Sequence, residues 1–350
     1  MDIDEPLLLF RAQFLQCIDH DFIRWPPSVL LQQPDAQSFL SKKLFNVSNP
    51  SSHPPASYEA RVLKTLIAKI AKSVGSIAAN NKALEDLSFR LASLQSMSPQ
   101  EGPITQLDAN VTYNCIPQNS RLDTQESWRP LTVVESRSLV AGSKFTGHRT
   151  WEGALHLASY LVSKSDLVLG KSILELGAGA GFISIMCAKY LGAARVVATD
   201  GDERVVKDMR RNLLLNELET EELISAEQLV WSRDLHDKIS DGPGFDIVLG
   251  ADIIYDKGAT EALVDTLSAL FDAMPQVSVL LSNAFRFPDV FEVFQTGCAR
   301  NKLRTRVIDY NMTPPAAQKS LFYTTSMPLQ IIEIQQDQLR KKHTAGSTFE

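Results

Sequence analysis

Ile173-Leu174-Glu175-Leu176-Gly177-Ala178-Gly179-Ala180-Gly181 is a short apolar run that ends in three alternating glycines, and a helical pattern from Phe182 to Leu191 follows it directly. Strand, tight turn and helix in that order form the first half of a βαβ unit. Glycine permits positive φ and close approach of the backbone to a ligand, while the helix start presents free N–H groups. The sequence therefore predicts a nucleotide-like ligand on this turn. Two details separate it from the dinucleotide turn G-x-G-x-x-G. Gly181 comes one residue early, and Glu175 places a carboxylate just before the turn, where it would oppose a pyrophosphate. A cationic ligand is favoured instead. The competing reading is a tight strand-helix turn with a solvated glutamate.

Outward from this turn, short β-branched runs alternate with helical ones, as in a parallel sheet. The expected strands are 172–176, 195–199, 228–231, 246–250 and 277–282, with 303–309 and 329–334 completing seven. No good helix is readable between the last two, so they should finish the sheet as an antiparallel hairpin. Upstream, Val62, Leu63, Leu66, Ile67 and Ile70, then Leu84, Leu87, Leu91 and Leu94, recur at helical spacing. Two amphipathic helices are predicted there, after short, interrupted ones around Trp25-Pro26-Pro27 and the Pro/Ser-rich stretch 49–57. The expected organisation is an N-terminal helical region (1–98), a linker (99–115), a catalytic domain (116–340) and a tail (341–350).

The 350 residues are 44% apolar and 22% charged, ordinary globular usage, with a formal net charge of −6. An acidic chain is poorly suited to phosphate backbones and better suited to a basic protein partner, so no direct nucleic-acid binding is expected. Cys17, Cys115, Cys187 and Cys298 show no C-x-x-C pair, so neither a zinc site nor a disulfide framework is expected. Asp2, Asp4 and Glu5 precede the first apolar run where a signal peptide would be basic, and no apolar run suffices for a membrane span. Cytoplasm is the expected compartment.

The ends of the other strands carry the remaining candidates. Asp200 can accept the ribose hydroxyls of a nucleoside, with Asp202 as the fallback; either acid is equally able to cap the helix through Val205–Leu215. Trp231, expected to close the third strand, either flanks an adenine or belongs to the core, and Trp151 poses the same question. Ala251, Asp252 and Tyr255 follow the fourth strand, at the edge where ligands bind in such sheets. The bland reading makes Asp252 a helix cap and Tyr255 packing. The ammonium and sulfonium of S-adenosylmethionine meet the electrostatic demand of Glu175.

Taken together, these residues resemble the seven-β-strand protein-lysine methyltransferases, whose hallmark Asp-x-x-Tyr/Phe motif corresponds to Asp252-Ile253-Ile254-Tyr255. The resemblance covers roughly residues 145–335, and the N-terminal helical region is similar to that of the elongation factor 2 lysine methyltransferases. It implies an α/β, Rossmann-like class I methyltransferase sheet of seven strands with S-adenosylmethionine as cofactor and no metal. It further implies cofactor contacts from Trp151, Glu175, Gly177, Ala178, Gly179, Asp200, Trp231 and Ala251, with Asp252 and Tyr255 as the catalytic pair bordering a lysine channel. Asp252 is expected to orient the incoming ammonium. Many relatives carry an acid directly after the tryptophan of strand three; here Ser232 and Arg233 follow, and Asp234 comes later. Elongation factor 2 is the expected protein partner. The competing functions are methylation of another protein, a nucleic acid or a small molecule, and cofactor binding without catalysis.

Overall fold

The computed structural model describes residues 4–46, 53–75, 81–96, 108–120, 128–136, 146–218, 222–232 and 244–337. The chain divides into two compact units, residues 1–140 with 313–322, and residues 141–312 with 323–350.

The first unit contains helices α1 (Glu5–Leu15), α2 (Ser28–Leu31), α3 (Pro34–Ser38), α4 (Ala56–Val74) and α5 (Lys82–Ser96), and strands β1 (Asp108–Asn114) and β2 (Pro130–Ser136). Helices α4 and α5 are the two amphipathic helices expected, burying Val62, Leu63, Leu66 and Ile70 from one and Leu84, Leu87 and Leu94 from the other. Glu59 of α4 is buried and receives both arms of the Arg90 guanidinium from α5, at 2.8 and 2.9 Å. That geometry fixes the helix pair in one register. The antiparallel β1–β2 pair was not expected: β1 lies inside the predicted linker, and β2 falls in the unit of the N-terminal helices instead of the catalytic one. Its signal is a period of two, with Ala109, Val111 and Tyr113 buried opposite Leu131 and Val133. Residues 97–107 of the expected linker and the tail 341–350 lie outside the described residues.

The second unit carries helix α6 (Glu152–Ser163) and then β3 (Ser172–Leu176), α7 (Phe182–Tyr190), β4 (Arg195–Asp200), α8 (Glu203–Leu215), β5 (Ile224–Gln228), β6 (Ile247–Ala251), α9 (Lys257–Ala273), β7 (Ser278–Ala284), α10 (Pro288–Arg300), β8 (Leu303–Val307) and β9 (Leu329–Gln336). The seven strands are ordered β5-β4-β3-β6-β7-β9-β8. The first five in that order run parallel, and β9 is antiparallel to both β7 and β8, the hairpin-like finish expected. Central strands such as β3 are largely apolar because both faces are covered, and Ile173, Leu174 and Leu176 are all buried. The order reverses direction between β3 and β6, which opens a crevice at the carboxyl ends of these strands. This is the Rossmann-like class I methyltransferase arrangement of the sequence reading.

One strand is displaced from its expected place. The apolar run Leu229-Val230-Trp231 suggests a strand at 228–231, but the paired segment is Ile224–Gln228, an edge strand with alternating burial. The Leu229 N–H still donates to the Asp200 carbonyl at 3.0 Å, after which the chain leaves the sheet. Trp231 therefore sits beyond the strand. No helix among the described residues is long and apolar enough to cross a membrane.

Candidate active site

The glycine turn is built so that only glycine fits at its bends. Gly177 has φ +63°, and a Cβ there would lie 2.6 Å from Cγ2 of Ile253. Gly179 has φ +55°, and a Cβ there would lie 2.9 Å from the Gly147 carbonyl oxygen. The segment preceding α6 thus lies directly against the turn. Gly181 is the N-cap of α7 and has no side chain with which to cap it. Glu175 supplies the missing acceptor: its carboxylate receives the Ser184 N–H at 2.9 Å and the Ser184 hydroxyl.

Glu175 is buried, and that burial pushes its carboxyl up to about 8 despite the pull of the two Ser184 bonds. A carboxyl whose folded pKa exceeds its ordinary value of 4.5 takes up protons on folding. The cofactor-free protein is therefore expected to lose stability as pH rises through the window from 4.5 to about 8. Glu175→Gln keeps an acceptor for Ser184 and removes the titration, so the decline of its melting temperature between about pH 5 and about pH 8 should be shallower than that of the wild type. Identical slopes would show that Glu175 is not the titrating group.

At the end of β4 the two acids separate their tasks. Asp202 caps α8, accepting the Arg204 N–H at 2.9 Å, and its ion pair with the Arg204 guanidinium pulls its carboxyl down to about 2. Asp200 instead faces the crevice, where it accepts N–H groups from Gly179 at 3.2 Å and Asp202 at 3.1 Å. Burial raises its pKa.

Asp252 directly follows β6 in the left-handed region, at φ +51°, where its carboxylate ties three elements together. Oδ2 accepts the Gly153 N–H from the first turn of α6 at 2.6 Å, and Oδ1 accepts the Ala284 N–H at the end of β7 at 2.9 Å. A Cβ on residue 153 would lie 2.7 Å from the Asp252 Cγ, so glycine is required for this contact. Burial raises the pKa of Asp252, opposed by these two N–H groups and by the charge of Arg286. Asn283 holds the next residues of the motif, accepting the Ile254 N–H at 3.0 Å and donating to the Ile254 carbonyl at 3.1 Å. Tyr255 is left 44% exposed at the rim.

These pieces enclose a cavity of about 410 Å³, and all ten residues singled out from the sequence line it: Trp151, Glu175, Gly177, Ala178, Gly179, Asp200, Trp231, Ala251, Asp252 and Tyr255. Residues 139–289 match the lysine methyltransferase family. Protein-lysine N-methyltransferase EFM3 of Chaetomium thermophilum is 33% identical over 330 residues, 93% of this chain and 96% of that protein. The chain belongs to the protein-lysine methyltransferase family. Protein-lysine N-methyltransferase EEF2KMT of Homo sapiens is 29% identical over 192 residues, covering 51% of this chain and 57% of its own length. EFM3 of Saccharomyces cerevisiae is 28% identical over 225 residues, 58% of this chain and 65% of its own.

The methyltransferase uses S-adenosylmethionine, and the donor set in its cavity fits that molecule. Carboxylates at the ends of β3 and β4 suit an ammonium, a sulfonium and a ribose diol, and the glycine turn leaves room for close approach. Several cavity-lining or supporting residues had no signal in the sequence. Arg149 and Arg286 lie over the Trp151 ring, each 5.0 Å from its centroid, and Arg286 is ion-paired with Glu152. Asn283 reaches the motif only through the sheet. Asn212 donates to the Ala180 carbonyl at 2.9 Å and so tethers α8 to the glycine turn. Arg233 and Asp234, where the sequence departs from many relatives, lie outside the described residues.

Proposed function

We propose that this methyltransferase modifies a lysine of translation elongation factor 2. The observation that carries the proposal is the similarity to EEF2KMT of Homo sapiens over 51% of the chain; the match to the Chaetomium thermophilum lysine methyltransferase extends over 93% of it and so takes in the N-terminal helical unit as well as the catalytic one. The acidic net charge of −6 is compatible with a basic partner. Cytoplasm, where elongation factor 2 works, remains the compartment proposed.

When bound, S-adenosylmethionine supplies an electrophilic methyl group for direct transfer to the lysine nitrogen. The chain's own task is to place that nitrogen in line and to accept its uncharged form. A lysine with an ordinary pKa near 10.4 costs about 4.6 kcal/mol to present neutral at pH 7. In this proposal Trp231 flanks the adenine, Asp200 takes the ribose hydroxyls, and Glu175 stands nearest the positive end of the cofactor. Tyr255 forms the apolar wall of the lysine channel, where poor solvation disfavours the ammonium. Asp252 is assigned a different task from the one expected of it. Its carboxylate bridges the backbones of α6 and the end of β7, and the task assigned to it is to position the channel wall.

The proposal is tested by incubating the purified protein and methyl-labelled S-adenosylmethionine with a lysate lacking the endogenous enzyme. Label at the size of elongation factor 2, located on lysine by mass spectrometry, is the expected result. Label confined to a different protein would discard this substrate and keep the enzyme class.

A further inference from the structure

Four acids, Glu175, Asp200, Asp202 and Asp252, line the cavity. Among the described lining residues Arg149 is the one cationic side chain. Its situation differs from that of Arg286 on the same tryptophan. Arg286 is committed to Glu152, whereas the Arg149 Nε is buried without a hydrogen-bond partner, and so is the hydroxyl of the adjoining Thr150. Two neighbouring donors buried without acceptors are costly unless an acceptor arrives. The segment that carries them lies on the glycine turn, since the Gly147 carbonyl closes on Gly179.

S-adenosylmethionine has two positive centres and one anionic group, the α-carboxylate of its methionine moiety. The acids of the cavity answer the positive centres and leave the carboxylate without a partner among them. We propose that Arg149, assisted by the Thr150 hydroxyl, is the anchor for the cofactor's α-carboxylate, with the Trp151 ring holding the guanidinium plane in place. The inference rests on the cofactor assignment and adds to it a residue that sets which end of the cofactor meets the glycine turn. It also gives the enzyme a means of rejecting adenosyl sulfonium compounds that lack a carboxylate.

The test is calorimetric titration of S-adenosylmethionine and of decarboxylated S-adenosylmethionine, which differ in that one group, into the wild type, Arg149→Gln and Arg149→Lys. The wild type should bind the decarboxylated compound about 10- to 100-fold more weakly, the range for losing a charge-assisted hydrogen bond. Arg149→Gln should weaken S-adenosylmethionine by a similar factor and leave the decarboxylated compound within about 2-fold, and Arg149→Lys should recover part of the loss. Equal weakening of both compounds would mean that Arg149 acts only by packing on Trp151. Equal affinity of the wild type for both would overturn the proposal without any variant. A wild type that binds neither would overturn the cofactor assignment itself.

Discussion

Asp252→Asn is expected to lower kcat by roughly 100-fold, the scale of loss when a reacting group is misplaced by about an ångström. Asparagine tolerates the left-handed backbone that Asp252 adopts at φ +51°, so the substitution isolates the carboxylate from the backbone effect. It offers one acceptor oxygen where two are used. Its amide N–H₂ would face either the Gly153 or the Ala284 N–H, donor against donor, at positions now held at 2.6 and 2.9 Å. One buried N–H loses its partner, costing about 1–3 kcal/mol of stability. Helix α6 and β7 then lose a shared tie beside the cavity. Thermal unfolding and steady-state kinetics on a lysine substrate check both parts. Wild-type melting and turnover in Asp252→Asn would remove the positioning role.

Gly177→Ala is expected to weaken S-adenosylhomocysteine binding by about 10- to 100-fold, each factor of ten being about 1.4 kcal/mol. A non-glycine residue at φ +63° costs about 1–2 kcal/mol in backbone strain, and the new Cβ would press on Cγ2 of Ile253 at 2.6 Å. Ile253 is buried among core side chains and has little space into which to retreat. The turn must move, and the cofactor's seat moves with it. Gly170→Ala is the matching control, because Gly170 has a similar φ of +68° but nothing within 4 Å of a Cβ. It should share the strain and retain full affinity, as read by calorimetry. Equal losses in the two variants would show that strain alone, and not the seat on Ile253, governs binding.

The parallel sheet was legible because its strands are local apolar runs punctuated by glycine and acids, and the antiparallel finish followed from the missing helix between β8 and β9. The third strand was misplaced for a physical reason. Edge strands alternate, so the half-buried segment Ile224–Gln228 pairs while the apolar Leu229-Val230-Trp231 turns toward the cavity. The β1–β2 hairpin was overlooked because its alternation of Ala109, Val111 and Tyr113 is short and follows a stretch of low periodicity. Candidate residues that sit at strand ends were found by their position along the chain. Partnerships were not: Asp252 meets Gly153 across 99 residues and Ala284 across 32, and no local pattern records such a meeting. Arg149 and Arg286 acquire their significance only from the tryptophan between them.

Methylation of elongation factor 2 is tested with the purified factor, methyl-labelled S-adenosylmethionine and this enzyme, followed by intact-mass and peptide mass spectrometry of the product. Mass increments in steps of one methyl group, confined to a lysine side chain and lost in Asp252→Asn, are the expected result. Label on a non-lysine residue, or none with an enzyme that binds the cofactor, would contradict it.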